Sequence, residues 1–114
     1  MAVVDGHPDV VNCTFVRNVA DKTTGLGGGI RVAGGTSAVD VDNSILWANV
    51  SSGTTVQDQI FLVLAGNGDS TVDYSDVQDD APIPGIGNLG KWPCFVSKTD
   101  LRLTGTSPCV SPCI

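Results

Sequence analysis

The stretch Asp9-Val10-Val11-Asn12-Cys13-Thr14-Phe15 is answered 31 positions later by Asp40-Val41-Asp42-Asn43-Ser44-Ile45-Leu46, and 31 positions after that by Thr71-Val72-Asp73-Tyr74-Ser75-Asp76-Val77. Few letters recur, yet the columns keep their character. Val10, Val41 and Val72 coincide, as do Cys13, Ser44 and Ser75, and Phe15, Leu46 and Val77. These columns read as inward-facing ladders. Val11, Asp42 and Asp73 form a more polar column, and Thr14, Ile45 and Asp76 another, with Ile45 the apolar exception; both suit an outward face. Alternation of this kind is the period of a strand.

A second pair of segments repeats at nearly the same spacing. Ile30 and Val32 match Ile60 and Leu62, which leaves Arg31 and Phe61 on the other face. Each unit of about 31 residues therefore holds at least two short strands separated by Gly-rich corners. No single unit can enclose an interior, so successive units must stack, roughly 4.8 Å apart, like residue over like. The fold class expected is all-β, a right-handed parallel β-helix (β-solenoid) of a few coils.

Asn12 and Asn43 fall where the chain must turn between two strands. Asparagine tolerates left-handed backbone angles better than other non-glycine residues, so both are expected as structural corner residues, with side chains able to hydrogen-bond along the stack. Tyr74 breaks the column, and the third turn is expected to differ. The run Gly27-Gly28-Gly29 precedes a strand rather than a helix, so it reads as a corner and not as a phosphate-cradling loop.

Composition agrees. The chain has 114 residues, 14 of them glycine, and only 16% are charged, which disfavours a helical protein and fits one domain. Residues 1–80 are expected to form the stacked coils. Beyond Gln78 the alternation stops and prolines gather, so 81–114 is expected as an irregular crossing and C-terminal cap, with strands resuming near Phe95-Val96 and Leu101-Arg102-Leu103. A formal charge of −6 argues against nucleic acid as a partner, because phosphate binding needs clustered Lys and Arg. No apolar run approaches the roughly 20 residues of a membrane span. The first residues do not read as a secretory signal.

The chain resembles the C-terminal portion of bacterial right-handed parallel β-helix proteins of the pectate-lyase-like superfamily, in particular their large exported or surface-anchored members. Their coils run "NCTFSGNxA…GGGIY", then "NCIFWGN" and "GGQIY"; here "NCTFVRNVA", "GLGGGIRV", "NSILWANV" and "QDQIFLVL" follow in that order. Their closing pattern, "GNIDADPLFV…DYRLQPGSPCIDAG", is similar to "GNLGKWPCFV" and "DLRLTGTSPCV". Gly90-Lys91-Trp92-Pro93 replaces the acidic "DADP", so any carboxylate role at that place is lost. The resemblance implies an extracellular or cell-surface location and covers members with and without catalysis.

Lyases of that superfamily hold Ca²⁺ on acidic side chains beside a basic residue. Asp40, Asp42 and Asp73 are the candidate Ca²⁺ ligands, but no Arg or Lys falls in the adjacent columns. Otherwise these carboxylates are a solvated outer face, and no cofactor is expected. Trp47 is the candidate platform for carbohydrate. His7, the one histidine, is expected on the surface. Cys94, Cys109 and Cys113 are disulfide candidates, as Cys94 with Cys109, Cys94 with Cys113, or Cys109 with Cys113; Cys13 is expected inside as a small apolar residue.

The function expected is a non-catalytic structural or surface-interaction module. An open first coil would present unpaired strand edges, so self-association into a homo-oligomer is expected. The alternative is a domain that binds or cleaves an acidic polysaccharide on the outer sheet face.

Overall fold

A computed structural model describes residues 1–20, 27–51, 58–62, 70–79, 84–106 and 109–110. Its architecture is all-β. Nine short strands build three small parallel sheets, visited in the same order three times. Strands β1 (Ala2–Val4), β2 (Asp9–Val11) and β3 (Thr14–Val16) make the first layer. Strands β4 (Ile30–Ala33), β5 (Asp40–Asp42) and β6 (Ile45–Trp47) make the second, and β7 (Ile60–Leu62), β8 (Thr71–Asp73) and β9 (Asp76–Val77) the third. The sheets have the orders β1-β4-β7, β2-β5-β8 and β3-β6-β9.

The pairing register is the one that a 31-residue offset requires: Val10 lies beside Val41 and Val41 beside Val72, while Phe15 lies beside Leu46 and Leu46 beside Val77. In the remaining sheet Ile30 lies beside Ile60, and Val32 lies between Val3 and Leu62. Valine, isoleucine and leucine dominate the enclosed positions because branched side chains suit a pleated surface packed on one face. Leu46, Val41, Val77 and Ile30 are fully buried. Cys13 and Phe15, in the first layer, pack against this core but are only partly covered.

The corner between the second and third sheets is left-handed in every layer, with φ of 56° at Asn12, 48° at Asn43 and 49° at Tyr74. Tyr74 thus turns as the asparagines do, contrary to the expectation that the third turn differs. The reason is the backbone ladder. Asn12 donates its N–H to Asp42, Asn43 to Asp73 and Tyr74 to Ile86, and that shared geometry holds an unsuited residue in place.

The partner of Tyr74 identifies a fourth rung. Ile86-Gly87-Asn88-Leu89 lies over Asp73-Tyr74-Ser75-Asp76, with Leu89 donating to the Ser75 carbonyl and Val77 to that of Leu89. Gly87 has φ of 67°, the left-handed angle of the corner column beneath it. This segment was expected to be irregular. It continues the corner after a spacing of 13 instead of 31 residues, too short for periodicity to reveal.

At the next corner Arg17 and Ala48 are also left-handed, with φ of 57° and 56°. Arg17 donates its N–H to the Trp47 carbonyl, whereas Ala48 donates to the side-chain oxygen of Gln78 at 2.6 Å. A side chain here replaces the backbone of a third turn. The buried glycines 28 and 29 allow close approach of neighbouring chain: a Cβ at Gly29 would lie 2.5 Å from the Gln59 carbonyl oxygen, and one at Gly28 2.6 Å from that of Val50.

The last segment turns back over the third sheet. Phe95 bridges Leu103 antiparallel, and Val96 and Ser97 donate to Arg102 and Asp100, forming a hairpin. Strands β10 (Gly105–Thr106) and β11 (Cys109–Val110) pair antiparallel after it. Trp92 stands edge-to-face between Trp47 and Phe95, with ring centroids 5.8 and 5.6 Å away, and fastens this segment to β6. Its hold reaches the first layer, where the Arg17 guanidinium donates to the Lys98 carbonyl. This covering explains a departure from expectation: Ile45 and Asp76 point outward, yet both are buried, at 8% and 2% exposure.

Candidate functional site

Two surfaces concentrate polar side chains. The first is the outer face of β2, β5 and β8, where Asp9 lies beside Asp40 and Asp42 beside Asp73 in register. The stack therefore brings the three candidate Ca²⁺ ligands onto one face, as their spacing required. Asp40 and Asp73 are already engaged, and Asp42 is half-buried. Asp40 accepts the Thr71 hydroxyl at 2.7 Å and contacts His7 Nε2 at 3.1 Å. The Thr71 hydrogen bond holds the Asp40 carboxyl below its ordinary range against the opposing effect of desolvation, with lesser help from His7. Asp73 accepts the Ile86 N–H at 2.6 Å, so it supports the fourth rung. Among the described residues no group of three or more His, Cys, Asp or Glu side chains is placed to hold a metal ion.

The second surface is a groove of about 420 Å³ along the left-handed corner. Asn12, Asn43 and Tyr74 line one side, one residue per layer, and Thr14, Ile45 and Asp76 the other, with Leu103 of the hairpin closing it. Asp76 receives the Lys91 N–H at 3.1 Å. The groove can offer amide, hydroxyl and ring surfaces to a neutral ligand.

The corner asparagines hold their expected positions, but the side chains that bind the layers together are different ones. Cys13 donates its N–H to Ser44 Oγ, Ser44 to Ser75 Oγ and Ser75 to Asn88 Oδ1, at 3.1, 3.1 and 3.0 Å. Each hydroxyl in turn donates to a carbonyl of its own layer, Ser44 to Asp42 and Ser75 to Asp73, both at 2.8 Å. A second column joins Asn18, Asn49 and Gln59. Asn49 Oδ1 accepts the Asn18 N–H at 3.0 Å, and Asn49 Nδ2 donates to Gln59 Oε1 at 2.8 Å. Asn49 and Gln59 are 2% and 1% exposed. The recurrence of asparagine at 18 and 49 was the available signal for this column. Gln59, which ends this column, and Asn88, which ends the hydroxyl column, had none, because both come from outside the 31-residue spacing.

Trp47 is half-buried and meets Trp92, so its ring anchors the C-terminal segment as well as facing outward. His7 is exposed. Cys94 is disulfide-bonded, and Cys13 is a free thiol. The side chain of Cys109 and all of Cys113 lie outside the described residues. Among the described residues no helix is long and apolar enough to cross a membrane.

No family model, no curated protein and no solved structure matches the chain.

Proposed function

We propose that this chain is a non-catalytic structural or surface-interaction module, a short β-solenoid that associates with a second copy through its first layer. The reading is supported by two sheets that pair at an offset of 31 residues and a third that pairs at 29 and 30, and by buried polar columns running through them. One observation carries it. Leu46 and Val77 are fully buried, whereas Phe15, the same position in the first layer, is only partly covered, and among the described residues β1, β2 and β3 each have a strand partner on one side only. An edge of this kind, ending an apolar interior, is a template for pairing. The sticking surface would be backbone and core together. Light scattering over a range of protein concentrations tests the reading: a rise in mass with concentration supports it, and an unchanging monomer up to tens of micromolar sinks it.

A second reading, a carbohydrate-binding surface, is supported by the corner groove with Asn12, Asn43 and Tyr74 at one-layer intervals. A glycan array separates the two classes.

A further inference from the structure

The first layer carries a specific complementarity to itself. Ile45 donates to the Cys13 carbonyl and Asp40 to the Pro8 carbonyl, and backbone groups alternate sides along a parallel strand. Val10, Cys13 and Phe15 therefore direct their backbone groups to the second layer, while Asp9, Val11, Thr14 and Val16 direct theirs to the open side. Strands β2 and β3 flank one corner, Asn12-Cys13, at equal distance.

We propose that two copies stack first layer on first layer about a two-fold axis through this corner, so that β2 of each pairs antiparallel with β3 of the other. The proposal rests on the reading of the first layer as an interaction face and adds the partner's orientation and register. Val11 then stands opposite Thr14 of the second copy, and Asp9 opposite Val16. These are the four residues whose N–H and C=O groups face outward from the layer, and residues opposed in hydrogen-bonded antiparallel pairs exchange both bonds. Val10 meets Phe15 of the second copy, interior against interior, which covers the partly exposed ring. A shift of one residue would put Val10 against an outward-facing side chain.

Charge agrees with the same register. Asp9 comes beside Arg17 of the second copy, whose guanidinium also donates to its own Lys98 carbonyl, and the two-fold repeats that contact at the opposite rim. The net charge of −6 per chain opposes association of like copies, so these contacts offset part of a general repulsion. A head-to-tail contact has no such match, because the opposite end of this corner is already occupied by Ile86–Leu89.

Sedimentation equilibrium of the full chain at physiological ionic strength tests the arrangement with Asp9→Arg, Arg17→Asp and the two combined, the melting temperature of each being followed because Arg17→Asp also removes the bond to the Lys98 carbonyl. Each single reversal is expected to weaken dimerisation about tenfold, and the combination to restore it to within about threefold. Val11→Pro is a second probe. It removes an N–H that faces outward and no bond to the second layer, so it is expected to leave the melting temperature within a few degrees and abolish the dimer. Single reversals without effect, a combination no better than its parts, or a dimer that survives Val11→Pro overturns the register while self-association stands. Growth beyond a dimer overturns the two-fold closure. A monomer throughout overturns both this arrangement and the self-association beneath it.

Discussion

Ser44 and Ser75 show how one small polar side chain settles two backbone groups at a corner. Each accepts an N–H from the layer before and donates to a carbonyl of its own, and both are 1% exposed. A buried donor that loses its partner costs about 1–3 kcal/mol. Ser75→Ala is accordingly expected to lower stability by about that amount in urea unfolding, with the slope unchanged; a loss under about 0.5 kcal/mol would mean water takes the place of the hydroxyl. The columns Val10-Val41-Val72 and Phe15-Leu46-Val77 were legible in the sequence because burial tolerates a change of letter but not of side. The hydroxyl column was legible only as small residues, since nothing in Cys13, Ser44 and Ser75 announces which groups they bond. The acidic candidates were placed correctly on one face, yet their engagement with Thr71, His7 and Ile86 depends on neighbours that only stacking supplies.

Among the elements, the strands were readable where the 31-residue spacing holds and unreadable where it lapses. Ile86–Leu89 joins the corner by hydrogen bonds that any sequence with a suitable turn could make, and Gly87 supplies the needed φ without a repeat to mark it. The hairpin from Phe95 to Leu103 is local, and its bridge falls where short strands were expected to resume. Its turn is organised by charge-assisted contacts: Arg102 Nε and Nη2 bond both Asp100 oxygens, at 3.0, 3.1 and 2.6 Å. They lower the Asp100 pKa from 3.8 to about 2. A depressed carboxylate stabilises the turn above the unfolded value and ceases to do so as pH falls through the folded one, so the contribution is complete above about pH 4 and fades toward pH 2. A carboxyl NMR titration is expected to give an Asp100 midpoint near 2, returning toward 3.8 in Arg102→Ala. A midpoint at 3.8 in the unaltered chain would refute the contact.

Across the whole molecule the interior is graded. The grading follows one column: Leu46 and Val77 are sealed, whereas Phe15 and its neighbour Cys13 in the first layer are partly covered, although Val3 and Val10 of that layer are buried. Leu46→Ala is therefore expected to cost about 2–5 kcal/mol at any protein concentration, as a sealed aliphatic position does. Phe15→Ala is expected to cost less than Leu46→Ala in dilute solution and more as concentration rises, because a partner would finish the enclosure of the ring. Equal, concentration-independent losses at both sites would show that the first layer is already as well packed as the second. The repeat made this stacking legible, while the covering of β6 by Trp92 and the hairpin was not, since edge-to-face contacts between residues 47, 92 and 95 leave no periodic trace.

The fourth rung at Ile86–Leu89 has a further consequence for length. Among the described residues it meets the layer directly beneath it through Val72, Asp73, Tyr74, Ser75 and Val77. A whole additional 31-residue unit inserted below it would leave both end faces unaltered and move them apart by one strand spacing, about 4.8 Å. The distance between the first layer and this rung is thus quantised in strand spacings.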